Sequence, residues 1–211
     1  MFAGALLQPT QNVLAVLGQS GIFTDTYLAG GTALALHLGH RRSRDLDFYT
    51  REPLQAEIVA KQLEQAGHFT ISLLKHPHTI LGTFNDVKMS LLFYDYPLIG
   101  TFTYFQEMAI ASIEDIGAMK LAAISGRATK RDYVDLYVIC QMYTLETLFN
   151  WYDEKYGKLA NNIYILIRAI GYFDDAESDP MPDMLTHLKW DNIKNFFTTE
   201  SLRLGRKYLE D

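Results

Sequence analysis

Hydrophobic residues in the first half of the chain repeat with two different periods. Val13, Leu14 and Leu17 recur at the three- and four-residue spacing of an amphipathic helix. Short runs rich in β-branched and aromatic residues indicate strands instead. The pattern predicts helices over residues 6–17, 32–40 and 54–66, and strands over residues 26–29, 46–49, 69–74, 78–84 and 87–93.

Asn85 and Asp86 are the two residues between the last two predicted strands. Two-residue connections rich in asparagine, aspartate and glycine form tight hairpins, because those residues tolerate a left-handed backbone. The sequence therefore predicts an antiparallel hairpin that extends the sheet.

The second half of the chain changes to long helical periodicity. Helices are predicted over residues 113–124, 131–142, 145–156, 159–170 and 192–209, with the acidic, proline-containing stretch 174–183 as the candidate linker. A sheet followed by helices favours the α+β class, with a mixed, partly antiparallel sheet flanked by helices and a helical C-terminal half. We place the division between residues 1–106 and 107–211, with one continuous domain as the alternative.

Composition and charge narrow the class of protein. Of the 211 residues, 48% are hydrophobic and 21% are charged, which is typical of folded globular chains and excludes disordered and fibrous ones. The formal net charge of -6 argues against a protein that coats nucleic acid by charge alone. Cys140 is the single cysteine, which excludes an intramolecular disulfide and favours a reducing cytoplasm. No apolar stretch is long enough to span a bilayer, so we expect no membrane partner.

Two short motifs carry the candidate chemistry. Gly30, Gly31 and Thr32 follow a predicted strand and open a helix, where backbone amides and the positive end of the helix dipole favour a phosphate. Asp45 and Asp47 lie two positions apart on the next predicted strand, so both carboxylates face the same side and can bind Mg²⁺. Either motif alone is commonly a tight turn or a pair of solvated acids. Their order and spacing together are more specific.

Gly-Gly, a short helix and Asp-x-Asp together resemble the signature of the DNA polymerase beta-like nucleotidyltransferase superfamily. Within it, residues 29–34 and 40–48 are similar to the AbiEii/AbiGii toxin-type nucleotidyltransferases of bacteria. Residues 120–124, Arg127 and residues 131–136 are similar to later motifs of that family. The resemblance covers most of the chain and implies a nucleotidyltransferase form of the sheet.

The resemblance also implies transfer of a nucleoside monophosphate from a nucleoside triphosphate to an acceptor, with release of pyrophosphate. It implies that Asp45 and Asp47 hold Mg²⁺ or Mn²⁺ and act in catalysis. Lys120 and Asp135 are the further catalytic residues that it implies. The residues predicted to bind the nucleotide are Gly30, Gly31, Thr32, Ser43, Arg44, Lys88, Arg127, Arg131 and Asp132.

Helical geometry relates three of the predicted cations. On an unbroken helix, Lys120, Arg127 and Arg131 lie within about 40° of one another and form a stripe of positive charge. Gly126 instead indicates that the helix ends there and a second one begins. For Arg131 and Asp135, the alternative is an exposed ion pair one helical turn apart.

Ser90 departs from the superfamily pattern. Members usually carry a third carboxylate on a later strand, and residues 87–91 match that strand with Ser90 at the position of the acid. Strand parity places Asp86 and Lys88 on the face of Ser90, and Asp95 on the opposite face. Three interpretations stay open: an enzyme with one metal ion, an acid recruited from Asp86 or Asp95, or a nucleotide-binding protein with reduced activity.

The leading hypothesis is a toxin-like nucleotidyltransferase whose acceptor is RNA, such as tRNA, or a protein, with a cognate antitoxin as a further partner. Arg41, Arg42 and Arg44 form the densest basic cluster, which is either a solvated loop or a contact for nucleotide phosphates or an RNA backbone. The main alternative is a catalytically degenerate nucleotide-binding or protein-interaction module of the same fold. An enzyme that modifies a small-molecule hydroxyl is a third option.

Overall fold

A mixed sheet organises the first half of the chain. The computed structural model describes residues 1–209. The strands in that range are β1 (Thr26–Leu28), β2 (Leu46–Thr50), β3 (Phe69–Lys75), β4 (Thr79–Phe84), β5 (Val87–Phe93), β6 (Thr103–Phe105) and β7 (Met108–Ile110). They form one sheet in the spatial order β3-β4-β5-β2-β1-β7-β6.

Both parallel and antiparallel pairs occur in this sheet. β2 pairs in parallel with β5 and antiparallel with β1, and β1 pairs in parallel with β7. The pairs β3–β4, β4–β5 and β6–β7 are antiparallel. The prediction of a mixed, partly antiparallel sheet in an α+β fold is therefore confirmed.

Within residues 1–209, two hairpins of the sheet have two-residue turns, and the sequence analysis predicts one of them. Asn85 and Asp86 join β4 to β5 with φ angles of 46° and 65°, the left-handed backbone that a two-residue type I′ turn requires. The hairpin β6–β7 lies outside the prediction. Its strands have three residues each, and Gln106 and Glu107 form its turn with φ angles of 50° and 64°. Glutamine and glutamate do not signal a left-handed turn, so neither the strands nor the turn left a recognisable pattern.

The helices occupy nearly the predicted positions. α2 begins at Gly30, two residues before the predicted start, and a short helix lies within the predicted linker. No helix in residues 1–209 is long and apolar enough to cross a membrane. The helices are α1 (Gln8–Gln19), α2 (Gly30–Leu38), α3 (Ala56–Ala66), α4 (Ile113–Gly126), α5 (Lys130–Cys140), α6 (Leu145–Tyr156), α7 (Leu159–Ile170), α8 (Asp174–Glu177) and α9 (Trp190–Leu209).

The chain divides into two compact units. The sheet unit comprises Met1–Tyr96 and Thr101–Ser112, and the helical unit comprises Pro97–Gly100 and the described chain from Ile113 to Leu209. The boundary predicted between residues 106 and 107 falls in the turn of the β6–β7 hairpin.

Burial alternates along β2, the strand that carries the Asp-x-Asp motif. Leu46, Phe48 and Thr50 are buried, while Asp47 and Tyr49 between them are half-buried. Successive side chains of a strand point to opposite faces. One face of β2 therefore packs into the core, and the other face presents Asp47.

β3 is the outer strand at one end of the sheet. Its Ile71 and Leu73 are 41% and 46% exposed, and the pairing with β4 shifts register between these two residues. Such a bulge leaves one residue outside the ladder and bends the strand locally. The outer edge of the sheet is therefore irregular near its centre.

Tyr133 on α5 lies at the centre of the helical unit. Its fully buried ring packs against Phe173, Trp190 and Phe197, at centroid distances of 5.1, 5.8 and 5.7 Å. Its hydroxyl donates to the carbonyl oxygen of Ala169, at 2.7 Å. This one side chain thus joins α5 to the end of α7 and to α9.

A buried ion pair also lies in the helical unit. Lys155 on α6 and Asp115 on α4 are 2.7 Å apart, and neither side chain is exposed to solvent. Asp115 accepts hydrogen bonds from the backbone amides of Ile99 and Gly100, and Lys155 donates to the carbonyl oxygen of Pro97. The pair therefore fixes the segment Pro97–Gly100 to α4 and α6.

Replacing Lys155 tests how much this buried pair stabilises the helical unit. Lys155→Met leaves the carboxylate of Asp115 buried without its cation, a change that typically costs about 3–5 kcal/mol. We expect the free energy of unfolding, measured by urea denaturation, to fall by about that amount.

Glu146 provides the matched control, because it binds Arg203 at 2.7 Å and Lys207 at 3.0 Å near the surface. These cations hold the pKa of Glu146 at about 2, but solvent screens the attraction. Glu146→Gln should cost less than about 1 kcal/mol at neutral pH. Equal losses for the two variants would contradict the assignment of the Lys155 pair as the stronger interaction.

Candidate active site

A glycine turn brings the start of α2 against Asp47. Gly30 has a φ angle of 65°, a left-handed conformation that side chains other than glycine rarely adopt. A methyl group on its Cα would lie 3.3 Å from Oδ2 of Asp47. The backbone amide of Ala29 donates to the carbonyl oxygen of Asp47 at 3.0 Å. The two predicted motifs therefore meet at Gly30 and Asp47.

The chemistry of the donor set suits a hard divalent cation. Asp45 directly precedes β2, Asp47 lies on it, and both side chains are half-buried. Within residues 1–209, no group of three or more His, Cys, Asp or Glu side chains is arranged to hold a metal ion. Mg²⁺ commonly takes one or two carboxylates and fills its other positions with water and substrate phosphates. The two aspartates and the close backbone approach at Gly30 fit that mode.

Thr32 and Ser43 support the loop that leads to Asp45. The hydroxyl oxygens of Thr32 and Ser43 are 2.7 Å apart, and Thr32 also donates to the carbonyl oxygen of Asp45. The amide of Ser43 donates to the carbonyl oxygen of Ala5 at 2.9 Å. Thr32 is buried and Ser43 is half-buried. In this structure the Thr32 hydroxyl fixes the main chain next to the aspartates, and its predicted phosphate contact stays a prediction.

The parallel pairing of β2 with β5 places Ser90 beside Asp47. Ser90 donates its hydroxyl hydrogen to Oδ1 of Asp47 at 2.7 Å and is 8% exposed. Asp86 lies in the β4–β5 turn, about 13 Å away along an extended strand, and Asp95 lies beyond the end of β5. Neither acid takes the place of Ser90 next to Asp47.

Cationic side chains precede Ser90 on β5 and Asp45 in the loop before β2. Lys88 lies two residues before Ser90, hence on the same face of β5, and is exposed. Arg42 and Arg44 are exposed, whereas Arg41 is buried. Two of the three arginines in the predicted basic cluster therefore lie at the surface.

In the helical unit, a lysine is held between two carboxylates. Nζ of Lys120 lies 2.8 Å from Oδ1 of Asp132 and 2.7 Å from Oδ2 of Asp135. Burial lowers the pKa of Lys120, but the attraction of Asp135 and Asp132 outweighs that effect and raises the pKa above its usual value. Lys120 is therefore a charged ammonium group. Asp135 is fully buried, so the alternative in which it is an exposed surface acid is wrong.

A break separates the helices that carry these residues. α4 ends at Gly126, and Thr129 caps α5, where the hydroxyl of Thr129 donates to Oδ2 of Asp132 at 2.6 Å. Lys120, Arg127 and Arg131 thus do not lie on one unbroken helix, and the predicted stripe is wrong, whereas the predicted break is confirmed. Asp132 has a double role, because its other oxygen binds Lys120.

Lys130 on α5 is a buried cation of the helical unit. Its ammonium group donates to the carbonyl oxygens of Glu177 and Asp179 at 3.0 and 2.6 Å and lies 5.0 Å from the ring centroid of Trp190. These contacts hold the stretch predicted as a linker against α5 and α9. The ammonium group of Lys130 is therefore surrounded by acceptors that belong to the helical unit.

Comparison with known proteins gives a family match along most of the chain. Residues 12–80 and 82–203 match the family described as "Nucleotidyl transferase AbiEii toxin, Type IV TA system", where TA denotes toxin–antitoxin. An uncharacterised protein of Aquifex aeolicus (strain VF5) is 30% identical over 197 residues, which cover 90% of this chain and 91% of that protein.

The solved structures that share the fold include JHP933 and MenT4. JHP933 from Helicobacter pylori is 19% identical with a TM-score of 0.56, covering 96% of this chain and 94% of its own. MenT4, a nucleotidyltransferase toxin from Mycobacterium tuberculosis, is 14% identical with a TM-score of 0.56, covering 94% and 89%. The glycine turn, the Asp-x-Asp strand and the family match together make this chain a member of the AbiEii family of nucleotidyltransferase toxins.

Proposed function

We propose that this chain transfers a nucleoside monophosphate from a nucleoside triphosphate to a hydroxyl group of RNA. The acceptor oxygen bonds to the α-phosphorus, the bond from that phosphorus to the β-phosphate oxygen breaks, pyrophosphate leaves and the hydroxyl proton passes to water. The observation that carries the proposal is the close approach of the Gly30 turn to Asp47, where a Cβ on residue 30 would lie 3.3 Å from the carboxylate oxygen Oδ2. A phosphate held at the turn would lie next to a carboxylate suited to a divalent cation.

Asp45 and Asp47 are the residues that would hold Mg²⁺ or Mn²⁺. When bound, such an ion neutralises phosphate charge and polarises the attacked phosphorus. The carboxylates contribute two negative charges at one end of β2, and the half-buried position of both side chains limits competition from water. The chain thus supplies the oxygen ligands and leaves the remaining positions to the triphosphate.

The start of α2 is the proposed cradle for the phosphates. Gly30 and Gly31 have no side chains to obstruct a close approach, and the first amides of a helix have no carbonyl partners within it. Ser43 and Lys88 are the further side chains of the sheet unit that we assign to nucleotide binding, and Arg44 is a candidate for either the nucleotide or the RNA backbone. An exposed lysine or arginine can follow a phosphate as the substrate enters.

Lys120 is the proposed cation that stabilises negative charge on the departing pyrophosphate. Asp132 and Asp135 take two of its three N–H donors, and its side chain remains 10% exposed. The two aspartates would fix the direction of the third donor, so the role of Asp135 and Asp132 is to position the ammonium group. Arg127 and Arg131, both exposed, are further candidates for contact with the nucleotide.

The proposed biological role is that of a cytoplasmic toxin countered by a cognate antitoxin. The family description names a type IV toxin–antitoxin system, and no helix in the described part of the chain could span a membrane. A catalytically inactive nucleotide-binding module is the second candidate, because Ser90 stands where the superfamily usually has an acid. Nucleotide binding without release of pyrophosphate would favour that candidate.

Replacing the two aspartates tests the proposed reaction. Asp45→Asn and Asp47→Asn each remove a negative oxygen ligand, so transfer should fall by about 100-fold or more while the fold persists. The measurement is transfer of label from α-labelled nucleoside triphosphates to total RNA and to total protein, with Mg²⁺ or Mn²⁺. Asp86→Asn, in an exposed turn, is the matched control and should retain activity. Label that appears on protein, or on a small-molecule hydroxyl, would overturn the RNA acceptor.

Replacing Lys120 tests its proposed role in transfer. Lys120→Met should lower the transfer rate by about 100-fold or more, measured at a temperature where circular dichroism shows the variant folded. Lys194→Met, which removes a half-buried lysine paired with Glu177, is the control. The folded-state pKa of Lys120 is raised above its ordinary value of 10.5. The contribution of this charged lysine to the free energy of unfolding should therefore be complete below pH 10.5 and be lost only at higher pH. Full activity of Lys120→Met would remove this residue from the mechanism.

The use of RNA as acceptor predicts a salt effect at Arg44. Removing one phosphate contact should weaken RNA use and reduce the slope of log affinity against log salt concentration by about 1. Arg51→Ala, at an exposed position beyond the other end of β2, is the matched control. A loss for Arg44→Ala that does not depend on salt would instead assign Arg44 to the nucleotide.

A further inference from the structure

Ser90 and the Gly30 turn lie beside different oxygens of the same carboxylate. Ser90 donates to Oδ1 of Asp47 at 2.7 Å, while the Cα of Gly30 approaches Oδ2. Because β2 and β5 pair in parallel with Asp47 directly opposite Ser90, the backbone ladder fixes the distance between the two side chains. The orientation of the Asp47 carboxylate is therefore set by a hydroxyl on one side and a glycine turn on the other.

This arrangement assigns different tasks to the two oxygens. Oδ1 accepts the serine hydrogen, which directs the carboxylate plane and uses one of the lone pairs of that oxygen. Oδ2 lies on the side of the helix α2 N-terminus, where the proposed phosphate cradle begins. Oδ2 does not accept the serine hydrogen and is therefore the oxygen that Asp47 would offer to a cation.

A serine also limits how many cations the chain can hold at this point. A carboxylate at position 90 would lie next to Asp47 and repel it unless a further cation lay between them. The neutral hydroxyl causes no such repulsion and supplies no anionic ligand. In the part of the chain that the structure describes, no third acid joins Asp45 and Asp47 in a metal-binding group.

We propose that Ser90 is a positioning residue that directs Oδ2 of Asp47 to one divalent cation, so that the chain itself provides a single metal site. The inference rests on the proposed function, because it concerns the metal site of that reaction. It assigns the serine a task in place of the missing acid, rather than treating it as a sign of lost activity. The role is distinct from catalysis, since the hydroxyl contacts Asp47 and not the substrate.

The direct test is Mn²⁺ binding to the full chain without nucleotide, followed by electron paramagnetic resonance. Wild type should bind one equivalent, and Asp47→Asn should abolish this binding. Ser90→Ala should weaken Mn²⁺ affinity by about 10-fold, the usual cost of losing a hydrogen bond to a ligating carboxylate. Ser90→Thr keeps a hydroxyl and should restore most of the affinity. Ser72→Ala, on the outer strand β3, is the control.

Ser90→Asp tests the number of sites, because the added carboxylate should raise the stoichiometry to two or increase the affinity for the first ion. Two equivalents in wild type, or unchanged affinity in Ser90→Ala, would overturn the proposal. In the transfer assay, the Mn²⁺ concentration for half-maximal rate should rise in Ser90→Ala. If Mn²⁺ binding depends on Ser90 while no transfer occurs, the positioning role stands and the proposed enzymatic function fails.

Discussion

The position of Asp47 depends on β2 lying between β1 and β5. β1 ends where its chain turns into α2, so the antiparallel pair brings the amide of Ala29 and the Cα of Gly30 to Asp47. The parallel pair with β5 brings Ser90 to the other side of the same carboxylate. A slip of one residue in either pair would turn the side chains to the opposite face. The buried alternate residues of β2 resist such a slip, and core packing therefore sets the geometry of the site.

The helical unit follows a different constraint, which is the cost of burying charge. Lys120, Lys130 and Lys155 are each largely removed from water, and a buried cation is tolerated when acceptors surround it. Each of the three has carboxylate or carbonyl acceptors within 3.0 Å, drawn from other helices or connecting segments. The helices are therefore held in place by charge pairing in addition to apolar contacts, and a shift of one helix would separate an ion pair.

Sequence reasoning succeeded where the signal is local. The Asn85-Asp86 turn and the break after Gly126 each depend on neighbouring residues, and the structure contains a turn at the first place and a helix end at the second. The alternation of side chains along a strand also predicts which face of β5 carries Ser90. The hydrogen bond to Asp47 needs the register of β2 against β5, which joins residues 43 positions apart and leaves no local pattern.

The remaining differences have the same origin. The strands of the β6–β7 hairpin are too short to show alternation, and their stability comes from the neighbouring strand β1. The pairing of Lys120 with Asp132 and Asp135 also depends on tertiary contact, because the capped start of α5 places both carboxylates beside the lysine. In both cases tertiary contact, rather than local propensity, determines the arrangement.

The bulge in β3 has a consequence for how copies of this chain behave in solution. β3 is an outer strand with exposed apolar residues such as Ile71 and Leu73. The unpaired backbone groups of such a strand can form hydrogen bonds with a strand of a second copy, which is the first step of aggregation. The register shift between those residues interrupts the regular row of outward backbone groups that a new strand would need. The irregular edge thus protects the sheet from open-ended growth without burying its apolar side chains.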